Sequence, residues 1–266
     1  LQKRSLRSLF IWTSLLCFLF MSVPISYANE AFQRESENWS QLADQIMRLV
    51  EQGKLLEARD QLAVLAYQFS QSNLSDKKLS VESINELSGL ILELERNLNR
   101  ISPDVNQIFL SARRLQIALD AVSHPNQPIW KQYYNPMKEH ITLLEQAIQS
   151  QKEEIIQEAI SQIQIDYQML RPALVVSKSP ATVQKVDSLI TFISQQKDLK
   201  QLQSAVSQLM QLLQPLFFGS EKDVMAVGDL FFHTSIQMII LWISGIIAIV
   251  LTYVSWRKYR AMGEVV

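Results

Sequence analysis

Cysteine is almost missing from this sequence: Cys17 is the only one in 266 residues. A disulfide framework is therefore excluded, and so is a cysteine-built metal site. Glycine is scarce as well, with 6 in the whole chain, which argues against a turn-rich β architecture and for helices joined by short connections. The 3 histidines, His124, His140 and His233, read as isolated, with no carboxylate or second histidine one helical turn away to share a metal. The Glu-x-x-His pattern of di-iron bundles does not occur. Nor does a G-x-S-x-G elbow, a Walker loop or an H-E-x-x-H helix. The expectation is no catalytic residue, no cofactor and no metal.

Long uncharged runs are present, one at each end. Ile236 to Trp256 holds twenty-one residues without a charge, which as a helix is roughly 30 Å long and matches a bilayer's hydrocarbon core. Arg257 and Lys258 follow at once, so the positive-inside rule places the C-terminus in the cytoplasm. Trp256, Arg257 and Lys258 read as the interfacial anchor of this span. At the other end Lys3, Arg4 and Arg7 precede an apolar run from Leu9 to Val23, and Ser26-Tyr27-Ala28 offers small residues to a signal peptidase. Cleavage after Ala28 is expected, an uncleaved anchor being the alternative. The organisation that follows is a signal peptide over 1–28, an extracytoplasmic helical domain over 29–213, a juxtamembrane linker over 214–235, a transmembrane helix over 236–256 and a basic tail over 257–266.

Between the two apolar runs lie 19 basic and 25 acidic residues. This mild, dispersed acidity argues against nucleic acid and anionic lipid as partners of the domain itself. The partners expected are the membrane, through the C-terminal helix, and a protein.

Apolar spacing of three and four predicts an all-α bundle of about six or seven helices. Trp39, Leu42, Ile46 and Val50 mark the first, from about Ser36 to Gln52, with Gly53 as its stop. Leu62, Leu65 and Phe69 mark the second. Ser80 caps a third, striped by Val81, Ile84, Leu87, Ile91, Leu94, Leu98 and Ile101. Ser102-Pro103 reads as a cap with proline at the first helical position, opening a fourth helix through Ile108, Leu115 and Leu119. Pro125 and Pro128 force a break, after which Trp130, Met137, Ile141, Leu144 and Ile148, and then Ile156, Ile160, Ile163, Tyr167 and Leu170, resume helical spacing past an irregularity near Gln151. Arg171-Pro172 to Ser179 reads as a loop. Ser179-Pro180 then opens one long helix through Leu213 whose spacing slips near Lys197.

Carboxylate pairs such as Glu153-Glu154 and Glu93-x-Glu95 do not share a helix face and read as solvated surface. Trp39 and Trp130 are in phase with apolar stripes and read as core.

Three runs carry a family likeness: Asp120-Ala121-Val122 with Gln127-Pro128-Ile129-Trp130, Lys185 to Phe192 (KVDSLITF), and Tyr253 to Tyr259 (YVSWRKY). In order, spacing and end-to-end layout the chain resembles the YpjB family of sporulation proteins. The resemblance implies a product of endospore-forming bacteria, made in the mother cell and supporting efficient spore formation. It carries over no functional residue. The matched runs make Gln127, Pro128, Trp130, Asp187 and Ser188 the candidate partner surface of a scaffold or adaptor. The alternative is an accessory that holds a glycan or lipid intermediate in an aromatic cleft formed by Trp130, Tyr133 and Tyr134.

Overall fold

The computed structural model describes residues 24–72, 74, 79–227 and 240–254, with side chains from residue 32 onward. Among the described residues the chain is helical and contains no strand.

Helices α1 (Pro24–Glu51) and α2 (Leu55–Gln71) form an antiparallel hairpin. Its turn is a Schellman motif, in which Gly53 N–H bonds to Val50 O at 3.0 Å and Lys54 N–H to Leu49 O at 2.9 Å. Gly53 has φ +72°, and this left-handed position strains any residue carrying a Cβ. Helix α1 starts twelve residues before the predicted Ser36, with Pro24 in its first turn, where its missing N–H is not needed.

Helix α3 (Val81–Leu98) is capped as predicted, the Ser80 hydroxyl accepting from Ser83 N–H. It stops short of Ile101, which is wholly exposed, and Val81 also faces solvent at 70 % exposure. The helix ends at Leu98 with Asn99 as its C-cap, and Pro103 further on disfavours helical backbone at Ser102. The cap of α4 (Val105–Ser123) is Asp104, not Ser102: its carboxylate accepts from Asn106 N–H and Gln107 N–H.

A 3-10 turn, Ile129–Tyr133, leads into α5 (Tyr134–Ser150). The predicted irregularity is a full break at Gln151, whose φ is +52°. Helix α6 (Glu153–Ser177) then runs straight through Pro172, replacing the expected 171–179 loop. Proline inside a helix forfeits a backbone hydrogen bond, at about 3 kcal/mol. Complete burial of Ala173 and Leu174 and the ion pairs of Arg171 offset that cost.

The predicted long helix is two, α7 (Pro180–Gln195) and α8 (Leu199–Phe218), and the slip near Lys197 is the break between them. Ser179 caps the first and Asp198 the second. Helix α8 continues past Leu213 and through Pro215 because Leu216 and Phe217 are buried at 1 % exposure each. Gly219 ends it; a Cβ there would lie 2.8 Å from Pro215 Cα. Helix α9 (Glu221–Ala226) is set by a capping box between Ser220 and Asp223 and buries Val224 in the core. Residues 214–226, assigned to a linker by sequence, are thus part of the bundle.

Two cores result. Trp39, Ile46, Leu65, Leu87, Leu94 and Ile108 belong to one, built from α1 to α4. Trp130, Ile141, Ile160, Val186, Leu209 and Phe217 belong to the other, built from α5 to α9. Helix α4 serves both: Leu115 and Leu119 enter the first, Ile117 and Ala121 the second. A shift of two residues is about 200° around a helix, so the pairs occupy opposite faces.

Residues 240–254 form a last helix, α10, in which every side chain is exposed, Trp242 at 74 %. Among the described residues no helix is long and apolar enough to cross a membrane. The rest of the predicted 236–256 span, the anchor residues Trp256, Arg257 and Lys258, and the predicted signal sequence up to Val23 lie outside the described residues.

Candidate functional site

Among the described residues a groove of about 550 Å³ lies between α3 and α7, floored by α6 and α4. Glu82, Glu86, Gly89 and Glu93 recur along one face of α3 and form its first wall. Ser83, one residue over, is buried and donates to Val175 O on α6 at 3.1 Å, which fixes the rotation of that wall. Pro180, Gln184 and Asp187 of α7 form the second wall.

Asp187 holds the groove's inner edge. Arg171 forks onto its carboxylate, Nε to Oδ1 at 2.9 Å and Nη2 to Oδ2 at 3.1 Å, and reaches Glu86 through Nη1 at 3.4 Å. The Tyr167 hydroxyl donates to the same Oδ1 at 2.6 Å. Burial, and then the bond to Asp187, push the Tyr167 hydroxyl far above its ordinary pKa, so it remains a donor. The Asp187 bond likewise raises the Arg171 guanidinium. Deeper along α3, Arg114 Nη1 bridges both oxygens of Glu93, at 2.9 and 3.0 Å.

A second cluster gathers Asp120, Ser123 and His124 at the end of α4. These residue types suggest nucleophilic catalysis, and the geometry does not fit it. Ser123 Oγ and Asp120 Oδ1 both lie against His124 Nδ1, at 2.9 and 2.8 Å, whereas a proton relay needs them on opposite ring nitrogens. Asp120 also accepts the Ile129 N–H, which pins the turn after Pro128. Burial raises the Asp120 carboxyl above the ordinary range, and the bonds from Ile129 and His124 offset only part of that. His124 Nε2 faces Glu37 of α1 at 3.5 Å.

The isolation expected of two histidines is therefore corrected. His124 is paired with Asp120 one turn back, and His140 of α5 with Asp166 of α6 at 2.5 Å. Among the described residues no three His, Cys, Asp or Glu side chains are grouped to hold a metal ion.

The candidate partner residues divide. Gln127 and Ser188 are exposed, Pro128 and Trp130 are buried, and Asp187 is engaged in its ion pair. They do not form one patch, since Asp187 lines the groove and none of 127–130 does. Of the three residues named for the aromatic cleft, Trp130 is buried and Tyr133 and Tyr134 are half-buried. Trp130 is 1 % exposed and packed on Phe217 at 5.0 Å, with Lys178 over its ring. Tyr134 packs on Phe217 and Phe218, and the Tyr133 hydroxyl accepts from Arg113.

The groove escaped the sequence reading because its lining comes from four helices. Its α3 wall was visible all the same, as a polar stripe at 82, 86, 89 and 93 opposite the apolar one.

A family model described as sporulation protein YpjB matches residues 37–265. The chain is 24 % identical over 256 residues to a Bacillus subtilis (strain 168) protein named "Uncharacterized protein YpjB", covering 92 % of this chain and 93 % of that one. No solved structure matches.

Proposed function

The chain belongs to the YpjB family of sporulation proteins, and on that premise we propose that it is a membrane-anchored, non-enzymatic scaffold or adaptor for spore formation. The observation that carries this reading is α10. Its fifteen described residues leave every side chain exposed, with Ile240, Leu241, Trp242, Ile249 and Leu251 each more than half accessible. An apolar helix attached to a folded bundle and packed on none of it calls for an apolar surrounding. The uncharged sequence 236–256 has the length a bilayer span needs, and Arg257 and Lys258 after it would place the bundle outside the cytoplasm. The groove is then the bundle's surface for a partner at that membrane.

The test is a strain whose only copy ends at residue 239. In sporulating cells the full chain is expected in the alkali-washed membrane pellet and the shortened chain in the supernatant. Heat-resistant spore counts should fall to those of a strain lacking the gene. A full chain that washes off, or full spore yield from the shortened one, would overturn the reading.

A further inference from the structure

Gly89 is a residue the fold does not use. It sits in the middle of α3, exposed, with no left-handed backbone to accommodate, and a Cβ built on it meets nothing within 4 Å. Glycine in a helix interior is destabilising, so an internal position with room for a side chain and no bend to make has no internal reason for it. A backbone lying against α3 from outside supplies that reason.

The charge at the groove says what kind of backbone. Four carboxylates line it against two guanidiniums. Both guanidiniums are already committed, Arg171 to Asp187 and Glu86, and Arg114 to Glu93. Glu82 is exposed and takes part in neither pair, and Glu86 is held only by the 3.4 Å contact. These two stand one helical turn apart on the face that carries Gly89. They match a pair of cations at the same spacing on another helix.

Position adds a third constraint. The groove wall of α7 also holds the chain's exit. Glu221 accepts from Ser179 N–H and Ser179 Oγ at 3.1 and 2.9 Å, and from the Thr182 hydroxyl. Lys185 donates to the carbonyls of Val224 and Met225 at 2.8 and 3.0 Å and to that of Val227. The twelve residues 228–239 between α9 and α10 reach at most about 40 Å. With α10 in a bilayer, the end of α9 lies within that distance of it, and α7, which carries one groove wall, is bonded to that end.

We propose that the α3–α7 groove docks a helix of a partner protein at the same membrane, one that presents two Lys or Arg residues a turn apart to Glu82 and Glu86 and lays its backbone across Gly89. The membrane clause rests on the anchoring proposed above; the groove chemistry does not.

The experiment uses the full chain with p-benzoylphenylalanine in place of Asn85, which lines the groove and is exposed. Cells are irradiated during sporulation and the attached peptide is mapped by mass spectrometry. One peptide with Lys or Arg at i and i+3 or i+4 is expected, and its yield should fall about tenfold when Glu82→Lys or Gly89→Leu is added. Gly89→Leu fills open space on a helix, so its melting temperature should not fall, and loss of the adduct then reports docking alone. An acidic or neutral peptide, a lipid, a peptide of this chain itself, unchanged yield in both variants, or no adduct from membrane-bound protein would each overturn the groove proposal. A basic-helix adduct from protein recovered in the soluble fraction would leave the groove standing and overturn the anchor.

Discussion

In the N-terminal half Trp39 stacks on Phe69 at 5.1 Å between ring centroids, and in the C-terminal half Trp130 stacks on Phe217 at 5.0 Å. Both cores therefore hold a buried indole packed against a phenyl ring, edge-on in the first and tilted in the second. They differ in how the helices around them are tied. The C-terminal half is cross-linked by charge: Arg171 to Asp187, His140 to Asp166, Glu221 to the start of α7, and Lys185 to the end of α9. The N-terminal half is tied as well, but through side-chain amides, Gln116 to Asp44, Asn38 to Gln68 and Asn97 to Ser111, besides the Arg114–Glu93 pair, and it leaves Leu56, Tyr67 and Val81 about 70 % exposed and Ile101 fully so. Polar ties hold the C-terminal helices at defined angles, which is what a groove wall and a chain exit need. The N-terminal half offers the groove the face of α3 and Arg114 of α4.

The largest effects test whether the two cores are one folding unit. Trp39→Ala and Trp130→Ala should each cost about 3–5 kcal/mol. Because α4 feeds both cores, far-UV dichroism and tryptophan fluorescence should report one coincident urea transition in each variant. Two separated transitions would divide the molecule into halves.

The next effect sharpens the contrast in ties. Asp187→Ala removes the partner of both Arg171 and Tyr167 and should cost about 2 kcal/mol. Glu93→Ala loses a single guanidinium contact of similar exposure and should cost about 1 kcal/mol or less. Equal losses in urea denaturation would erase the distinction.

Acid should find the same asymmetry. Burial opposes ionisation of Glu221, but donation from Thr182 and Ser179 outweighs it and holds the carboxyl below its usual range. The unfolded chain then binds the proton first, so the stabilisation is present at neutral pH and is lost as pH falls below about 4.5. Glu221→Gln should be less stable at pH 7 and flatter across that acid limb, as read by melting temperature against pH. Asp120 works in the opposite sense, since its raised pKa makes the folded state the better proton acceptor.

The smallest effect has the unusual sign. Gly89→Ala should raise stability by about 0.5–1 kcal/mol, because it removes backbone freedom and adds no clash. A loss there would mean that the fold itself uses the glycine.

The helices were legible because their stabilisation is periodic burial. Trp39, Ile46, Leu87, Leu115, Ile141 and Ile160 were placed by spacing and all are core. Caps were legible where serine stands alone before a helix, at Ser80 and Ser179. Where Ser102 and Asp104 compete, the carboxylate takes the cap. Pro172 and Pro215 misled the reading because a proline's cost is local while its compensation, burial of Leu174 or Phe217, is set by distant residues. The site was the least legible part. The runs that carry the family likeness contain Asp120 and Asp187, and both act as joints between elements. The groove joins side chains as far apart in sequence as Glu86 and Arg171, 85 positions. No periodicity in a single segment encodes that meeting.

Lys185 ties down the end of α9 just before the chain leaves for α10. Tension applied along that exit would enter the bundle at α9, where the bonds of Lys185 and Glu221 to α7 and the burial of Val224 would share it. Several bonds loaded in parallel resist shear far better than bonds opened one after another. The lysine and Glu221 together therefore couple the exit of the chain to α7, and hence to one wall of the groove.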